Sequence, residues 1–331
     1  MFNNKSILIT GGTGSFGNAA VSYLTKKYKR IKRLIIFSRD ELKQHEMSKI
    51  YNIKKYPYIR YFLGDIRDYQ RLVFALKNVD YVIHAAALKH VPIAEYNPFE
   101  FVKTNIIGSQ NLIDSCIVNK VKKIIALSSD KASSPINLYG ATKLCADKQF
   151  IAANNIVGNQ KTSFSIVRYG NVMGSRGSVI PIFLRQKINN EMTITDPKMT
   201  RFNITLNESV EMVEWAFKNL IGGEILVPKI PSYKILDLAK AISPNCKIKI
   251  TGLREGEKVN EELINNSEAA YTFSLNKYFV ILPNDKTIQK KILRNLKSCK
   301  KVNSKFNFIS DKNKFLSIHE IKNILKKNKL V

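Results

Sequence analysis

Between an apolar run, Ser6 to Thr10, and a stretch of helical composition from about Asn18 to Lys29 lies Gly11-Gly12-Thr13-Gly14-Ser15-Phe16-Gly17. Glycines spaced Gly-x-x-Gly-x-x-Gly in a first strand-to-helix turn let backbone N–H groups close on a pyrophosphate at the helix N-terminus. Tight turns use glycine for other reasons too. What gives this one weight is its place at the very start of a βαβ pattern, which commits the chain to an open, mainly parallel sheet.

The alternation that follows agrees. Leu34 to Phe37, Tyr58 to Leu63, Tyr81 to His84, Val121 to Leu127 and Phe164 to Tyr169 are short apolar runs, as expected of strands buried on both faces of a parallel sheet. Helices are expected between them, including Phe99 to Asn119 and Tyr139 to Asn154. Beyond Tyr169 the alternation weakens. The chain therefore reads as an α/β protein, a Rossmann-like doubly wound parallel sheet with a smaller mixed C-terminal substrate-binding region. Residues 1–170 form the dinucleotide-binding part, 171–284 a mainly substrate-binding region and 285–331 a basic helical tail.

Composition narrows the class. With 331 residues, 44% of them hydrophobic, the chain can bury a full core. The net charge of +28 suggests nucleic acid, but Lys286 to Val331 alone carries 14 Lys/Arg against two acids. Neither an aromatic-basic stacking pattern nor a recognition helix accompanies that segment, so no nucleic-acid partner is expected. No apolar run approaches the roughly 20 residues of a membrane helix, and Met1 to Thr10 leads into a strand and glycine turn rather than a signal peptide. Cys116, Cys145, Cys246 and Cys299 lack Cys-x-x-Cys spacing, which argues against a disulfide framework and a zinc site. A cytoplasmic protein without membrane contact or metal is expected.

Strand two runs into Ser38-Arg39-Asp40-Glu41, about 20 residues past the glycines, where such folds choose their cofactor. An acid there holds the ribose 2′-hydroxyl of NAD, whereas Arg39 with Ser38 suits the 2′-phosphate of NADP. Asp40 keeps both open, with NADP favoured over NAD. Asp65 is placed to accept from the adenine amino group or to cap the helix starting near Asp68. The small residues of Ala85-Ala86-Ala87 let backbone pass close to the nicotinamide-side ribose, and Lys89 and His90 have no packing reason to follow them. Asn105, mid-helix, is read as hydrogen-bonded to backbone or as part of a site.

Leu127 to Lys143 concentrates the reactive side chains: Ser129, Asp130, Lys131, Tyr139 and Lys143. The first three follow a strand's carboxyl end, where open α/β sheets bind ligands. Tyr139 and Lys143 are i and i+4 on one helix face. A free tyrosine titrates near about 10, and an ammonium one turn away favours its phenolate. Tyr-x-x-x-Lys occurs four times, at Tyr23, Tyr28, Tyr51 and Tyr139; only the last follows a buried strand and a polar loop. Gly170 to Ser178 reads as a loop able to fold over a ligand. Arg176, Arg201 and Arg254 carry guanidinium forks that suit a diphosphate.

With these motifs in this order, the chain resembles the extended short-chain dehydrogenase/reductases. Ser38 to Lys43, His84 to Pro92, Ser129 to Ala132, Asn137 to Lys143 and Arg168 to Val172 are similar to the inverting UDP-N-acetylglucosamine 4,6-dehydratases that open pseudaminic acid biosynthesis, over about Ser6 to Pro283. Membrane-bound retaining relatives carry N-terminal membrane segments and typically a methionine at the tyrosine position. A chain starting at its first strand and carrying Tyr139 is expected to be of the soluble inverting type. Asn203, after Arg201-Phe202, departs from the bulky aromatic of the pattern.

The resemblance implies an NADP-dependent hydro-lyase. Transient C4 oxidation, loss of water across C5/C6 and hydride return to C6 would give UDP-2-acetamido-2,6-dideoxy-β-L-arabino-hex-4-ulose. Tyr139, activated by Lys143, would deprotonate the 4-hydroxyl, with Ser129 bonded to the C4 oxygen. Lys131 would remove the C5 proton and Asp130 would protonate the departing 6-hydroxyl. The implied cofactor contacts are Gly11, Thr13, Gly14, Ser15, Phe16, Gly17, Ser38, Arg39, Asp40, Glu41, Leu42, Lys43, Asp65, Ile66, Ala86, Lys89, Asn105, Tyr139, Lys143 and Val172. The implied UDP-sugar contacts are Lys89, Tyr139, Asn171, Arg176, Gly177, Ser178, Thr195, Arg201, Arg254, Glu255, Gly256 and Glu257. Association through the tyrosine-bearing helix implies a homo-oligomer, a dimer or hexamer. Rival readings are a retaining 4,6-dehydratase, a nucleotide-sugar 4-epimerase on the same fold, and a non-catalytic dinucleotide- or RNA-binding protein.

Overall fold

The structure is a computed structural model describing residues 1–158, 160–175 and 177–331, so Arg176 lies outside the described residues. Strands β1 (Ser6–Thr10), β2 (Arg33–Ser38), β3 (Ile59–Leu63), β4 (Tyr81–His84), β5 (Lys123–Ser129) and β6 (Ser163–Tyr169) alternate with helices. These are α1 (Ser15–Lys27), α2 (Glu41–Ile50), α3 (Tyr69–Ala75), the short pair α4 (Val91–Tyr96) and α5 (Pro98–Phe101), α6 (Gly108–Val118) and α7 (Leu138–Ile156). The strands pair in parallel in the order β3-β2-β1-β4-β5-β6. Chain direction across the sheet reverses between β1 and β4, which opens a crevice at the strands' carboxyl ends.

Period-two alternation sends the apolar runs to both faces. Ile7, Ile9 and Ile36 pack with Val21 and Leu24 of α1 and Phe217 beyond, while Leu8, Ile35 and Phe37 pack with Leu72, Leu112 and Phe150 on the other side. Each such side chain, fully buried, contributes roughly 1.5–3 kcal/mol. α1 begins at Ser15, three residues earlier than its composition suggests, because Gly17 brings the helix against the turn: a Cβ there would lie 2.2 Å from the Gly12 carbonyl oxygen.

The helix expected over Phe99 to Asn119 is interrupted. α5 passes into a π-helical turn, Val102–Ile107, before α6 resumes. Such wide turns recur where a side chain must be carried out of helical register. Here that side chain is Asn105, whose amide bonds both the backbone N–H and C=O of Leu88.

The second half runs α8 (Val179–Gln186), β7 (Glu191–Ile194), β8 (Thr200–Phe202), α9 (Leu206–Asn219), β9 (Ile225–Pro228), β10 (Ser232–Lys234), α10 (Ile235–Ile242) and β11 (Lys247–Ile250). It ends with β12 (Glu262–Ile264), α11 (Asn266–Ala269), β13 (Thr272–Ser274), β14 (Tyr278–Ile281), α12 (Lys286–Leu296), β15 (Lys300–Lys301), β16 (Phe308–Ile309) and α13 (Ile318–Lys327). β9 adds in parallel beside β6, and β14, β13 and β15 continue antiparallel, completing a 10-stranded sheet.

The segment expected as a basic helical tail is woven into the fold. Ile292 and Leu296 of α12 enter the main core, β15 extends the sheet, β16 pairs with β12, and Ile321 and Leu325 of α13 pack with Leu238 and Ile242 of α10. Its lysines conceal an apolar stripe at helical spacing. No described helix is long and apolar enough to cross a membrane. Among the described residues, no cluster of His, Cys, Asp or Glu is placed to hold a metal ion.

Candidate active site

β5 ends in Ser128-Ser129, a 3₁₀ turn covers Asp130–Ala132, and α7 follows with Asn137 as its N-cap, its Oδ1 accepting from Gly140 N–H at 2.8 Å. Turn and helix meet at Gly140, where a Cβ would stand 2.3 Å from the Lys131 carbonyl oxygen. That contact sets Tyr139 beside Ser129, Asp130 and Lys131. Behind it, Asp147 of α7 accepts from Ser128 Oγ at 2.7 Å and from Arg168 at 3.3 Å. Arg168 in turn pairs with Glu268 at 2.8 Å, tying α7 and β6 to α11.

Asp130 is 1% exposed. Its Oδ1 accepts from Ser129 Oγ at 2.8 Å and from Lys131 Nζ at 3.1 Å, and Lys131 Nζ also donates to Oε1 of Glu261 at 2.9 Å. Glu261, likewise 1% exposed, has Arg201 Nε at 3.7 Å. Sequence reasoning passed over Glu261; it stands 130 positions from Lys131, in a stretch with three acids among six residues from Glu257 to Glu262 that resembles a solvated face.

Burial is the largest influence on each group. It raises Asp130, and the Lys131 charge offsets this only in part. On Lys131 burial is outweighed by Asp130 and Glu261, which hold the ammonium above the usual lysine range. On Glu261 it is outweighed by Lys131 and Arg201, which hold the carboxyl below its usual range.

Burial also raises Tyr139, and the charge that pulls it back belongs to Lys131. Lys143 donates to the Leu127 carbonyl at 2.8 Å, and burial lowers its pKa against the pull of Asp147.

On the cofactor side, Gly14 caps α1 without a side-chain bond and no acid occupies the first turn, leaving N–H groups directed at the crevice. Thr13 and Ser38 are buried, and Ser38 accepts from Gln44 Nε2 through its Oγ at 3.0 Å. Asp40 N-caps α2, accepting from Lys43 N–H at 2.9 Å and pairing with the Lys43 ammonium, while Arg39, Glu41 and Leu42 are exposed. Asp65 accepts from Arg67 N–H at 2.9 Å and faces Arg39 at 3.4 Å. Burial raises that carboxyl, but Arg67 and Arg39 bring it below its usual range. Ile66 is buried, and Ala86 N–H donates to Thr10 Oγ1 at 3.2 Å.

Asn105 spends its amide on Leu88 at 2.9 Å, twice, and on Thr142 Oγ1 at 3.0 Å. Of the two readings of this residue, the backbone bond is the one the geometry gives. It fixes the Ala85–His90 loop against α7. Lys89 is lowered by desolvation and then by the Lys131 charge, which places it toward the same pocket.

The expected substrate residues are only partly gathered. Arg201 is 7% exposed, its Nη1 donating to the carbonyls of Thr200 at 2.7 Å and Val259 at 2.9 Å. The fork expected on a diphosphate is here engaged within the protein and with Glu261. Arg254 is exposed, and Gly256 O accepts from Asn137 Nδ2 at 2.8 Å, seating the Arg254–Glu257 loop against the start of α7. Asn171 Oδ1, Ser178 Oγ and Asn203 Oδ1 are buried without a hydrogen-bond partner. Val172 bridges to Ile204, and Thr195 Oγ1 contacts Met199 Sδ at 3.6 Å.

The family model for polysaccharide biosynthesis proteins matches residues 7–283. A Campylobacter jejuni protein named UDP-N-acetylglucosamine 4,6-dehydratase (inverting) is 56% identical over 292 residues, covering 88% of this chain and 86% of its own length. A Rickettsia bellii protein named UDP-glucose 4-epimerase is 43% identical over 332 residues, covering 98% and 96%. The X-ray structure of Pen from Bacillus thuringiensis superposes with a TM-score of 0.91 at 40% identity, covering 100% of both chains.

Proposed function

This chain belongs to the polysaccharide biosynthesis protein family, and we propose that it dehydrates UDP-N-acetylglucosamine across C4 to C6 with inversion at C5. The observation that carries the reading is a buried acid, Asp130, and a part-buried ammonium, Lys131, 3.1 Å apart beside Tyr139. An oxidation at C4 alone needs only the tyrosine. The elimination needs a proton removed at C5 and another delivered to the departing 6-hydroxyl.

Tyr139 takes the 4-hydroxyl proton, with Ser129 donating to the C4 oxygen. The C4 ketone acidifies the C5 proton, which Lys131 removes; Asp130, whose pKa is raised by burial, protonates the 6-hydroxyl so that water leaves. A proton then returns to C5 from the opposite face. The close approach of α1 to the glycine turn and its uncapped N-terminus fit a dinucleotide pyrophosphate. When bound, a nicotinamide dinucleotide supplies a reversible hydride sink.

Engagement of Asp40 with Lys43, beside an exposed Arg39, supports NADP over NAD. Exposed Ile107 and Val118 near the tyrosine-bearing helix support a homo-oligomer, dimer or hexamer. The enzyme is placed in the cytoplasm, with its product on the way to pseudaminic acid or a related glycan sugar.

The test is incubation with UDP-N-acetylglucosamine in D₂O followed by NMR. A 6-deoxy-4-keto sugar with deuterium at C5 and inverted configuration is expected. A 4-epimer, as the name of the Rickettsia relative would suggest, or unchanged substrate with cofactor demonstrably bound, would overturn the reading.

A further inference from the structure

Two acidic oxygens flank one ammonium, and each acid keeps a second oxygen with nothing to accept from. Lys131 Nζ directs protons to Asp130 Oδ1 at 3.1 Å and Glu261 Oε1 at 2.9 Å, while Asp130 Oδ2 and Glu261 Oε2 are buried without a partner. Orphaned buried acceptors are costly and uncommon. Glu261 is also held by its backbone, its N–H donating to Ser310 Oγ at 2.9 Å and its C=O accepting from Ser310 N–H at 2.9 Å. A carboxylate fixed this firmly against one lysine, at the expense of an unsatisfied oxygen, is placed for that lysine.

We propose that Glu261 is the positioning residue that sets where Lys131 keeps its proton, and thereby makes Lys131 competent as the base at C5. The proposal rests on the dehydratase reading above. A proton balance explains the need. To accept the C5 proton, Lys131 must first lose one, and Asp130 Oδ1 is within reach: the Nζ–H bond breaks, an O–H bond forms on Asp130, and the net charge of the site is unchanged. That single transfer leaves a neutral amine to attack C5–H and a neutral carboxyl to protonate the 6-hydroxyl.

Glu261, kept ionised by Arg201 at 3.7 Å, does not take the proton itself. Its charge stabilises the ammonium that re-forms when the C5–H bond breaks and its electron pair moves toward the C4 ketone. Removing the charge weakens the base. The other charged or titratable groups bearing on this cluster are Lys89, Tyr139, Tyr233, Glu257 and Lys258.

The test compares wild type with Glu261→Gln and Glu261→Asp, using kcat/KM against pH and the kinetic isotope effect with C5-deuterated UDP-N-acetylglucosamine. Glu261→Gln is expected to lose roughly 10–100-fold in kcat, to raise the isotope effect, and to move the alkaline limb about one unit or more toward lower pH as Lys131 sheds its proton more readily. Glu261→Asp is expected to return the limb to the wild-type position at a reduced rate. A Glu261→Gln enzyme slowed equally at all pH values, with an unchanged isotope effect, would overturn the proposal. If Glu261→Gln fails to fold, Glu261→Asp decides: wild-type kcat in that variant overturns it, whereas a lower kcat with the limb in place supports it. Wild-type protein yielding no 4-keto product would instead sink the dehydratase reading, so the two failures are distinguishable.

Discussion

Replacing Gly140 by Ala should cost far more activity than stability. The added Cβ would stand 2.3 Å from the Lys131 carbonyl oxygen, where ordinary contact begins at 3.4 Å, so α7 and the Asp130–Ala132 turn must part by about 1 Å. Overpacking of this kind costs about 1–3 kcal/mol, and alanine's helix preference returns up to ~1 kcal/mol, less in a first turn. The net is about 1–2 kcal/mol. For 331 residues the unfolding entropy is about 0.7 kcal/mol/K, so Tm should fall only about 1.5–3 °C. The parted elements, however, carry Tyr139 on one side and the Asp130–Lys131 pair on the other. A shift of ~1 Å between reacting groups can cost about 100-fold in rate. Initial rates of 4-keto sugar formation at 25 °C, beside a thermal melt, test this. A variant with kcat within about twofold of wild type would refute the idea that the Gly140 contact sets the spacing of the site.

Arg39→Ala should weaken NADPH binding by about 10–100-fold and NADH binding by less than about twofold, the loss of a charge-assisted contact to a 2′-phosphate being worth about 1.5–3 kcal/mol; equal weakening of both in a fluorescence titration would remove Arg39 from cofactor choice. Glu214 of α9 accepts from Tyr23 at 2.5 Å and from Lys27 and Lys218 at 2.6 Å, and also from Tyr28, clasping α1. Burial raises this carboxyl, but the bonds from Lys218, Lys27 and the tyrosines bring it down to about 2. A depressed folded pKa means stabilisation present in full above the unfolded value of about 4.3 and lost as pH falls toward 2. Glu214→Gln should therefore melt lower than wild type at pH 7, by the equivalent of about 1–3 kcal/mol, with the gap steady down to about pH 4.5 and narrowing below; a gap that widens in acid contradicts the assignment.

The parallel half of the sheet was legible because β-branched runs and a glycine turn are local signals. β1 and β2 lie where their apolar runs put them. β5 extends to Ser129 instead of ending at Leu127 because Ser128 and Ser129 still pair with Arg168 and Tyr169 of β6. Tyr139 was legible for the same reason, having a strand and loop before it. What sequence could not reveal depends on distant partners. Nothing near Lys131 announces Glu261, and nothing near Arg201 announces that its guanidinium turns inward onto backbone carbonyls. The last segment looked like a solvated tail because lysine dominates its composition, and the apolar residues that anchor it, Ile292, Leu296, Ile321 and Leu325, are few and spaced for helices. Asn105 gave no sign of its π-helical turn, since the wide turn answers to the Leu88 backbone and not to its neighbours in sequence.

The clasp between Glu261 and Ser310 has a temporal side. On the ribosome the dinucleotide-binding half emerges first, and with it a complete Asp130–Lys131 turn. Ser310 follows Glu261 by 49 positions, which at about 5–20 residues per second means a wait of roughly 2–10 s. During that interval Glu261 lacks its backbone anchor and the C-terminal edge of the sheet awaits β15. A nascent chain paused before Ser310 would thus display a nearly finished cofactor cleft whose acid and ammonium stand beside a Glu261 not yet anchored. The carboxylate beside Lys131 gains its backbone anchor only when translation reaches the segment that, by composition, looks least concerned with it.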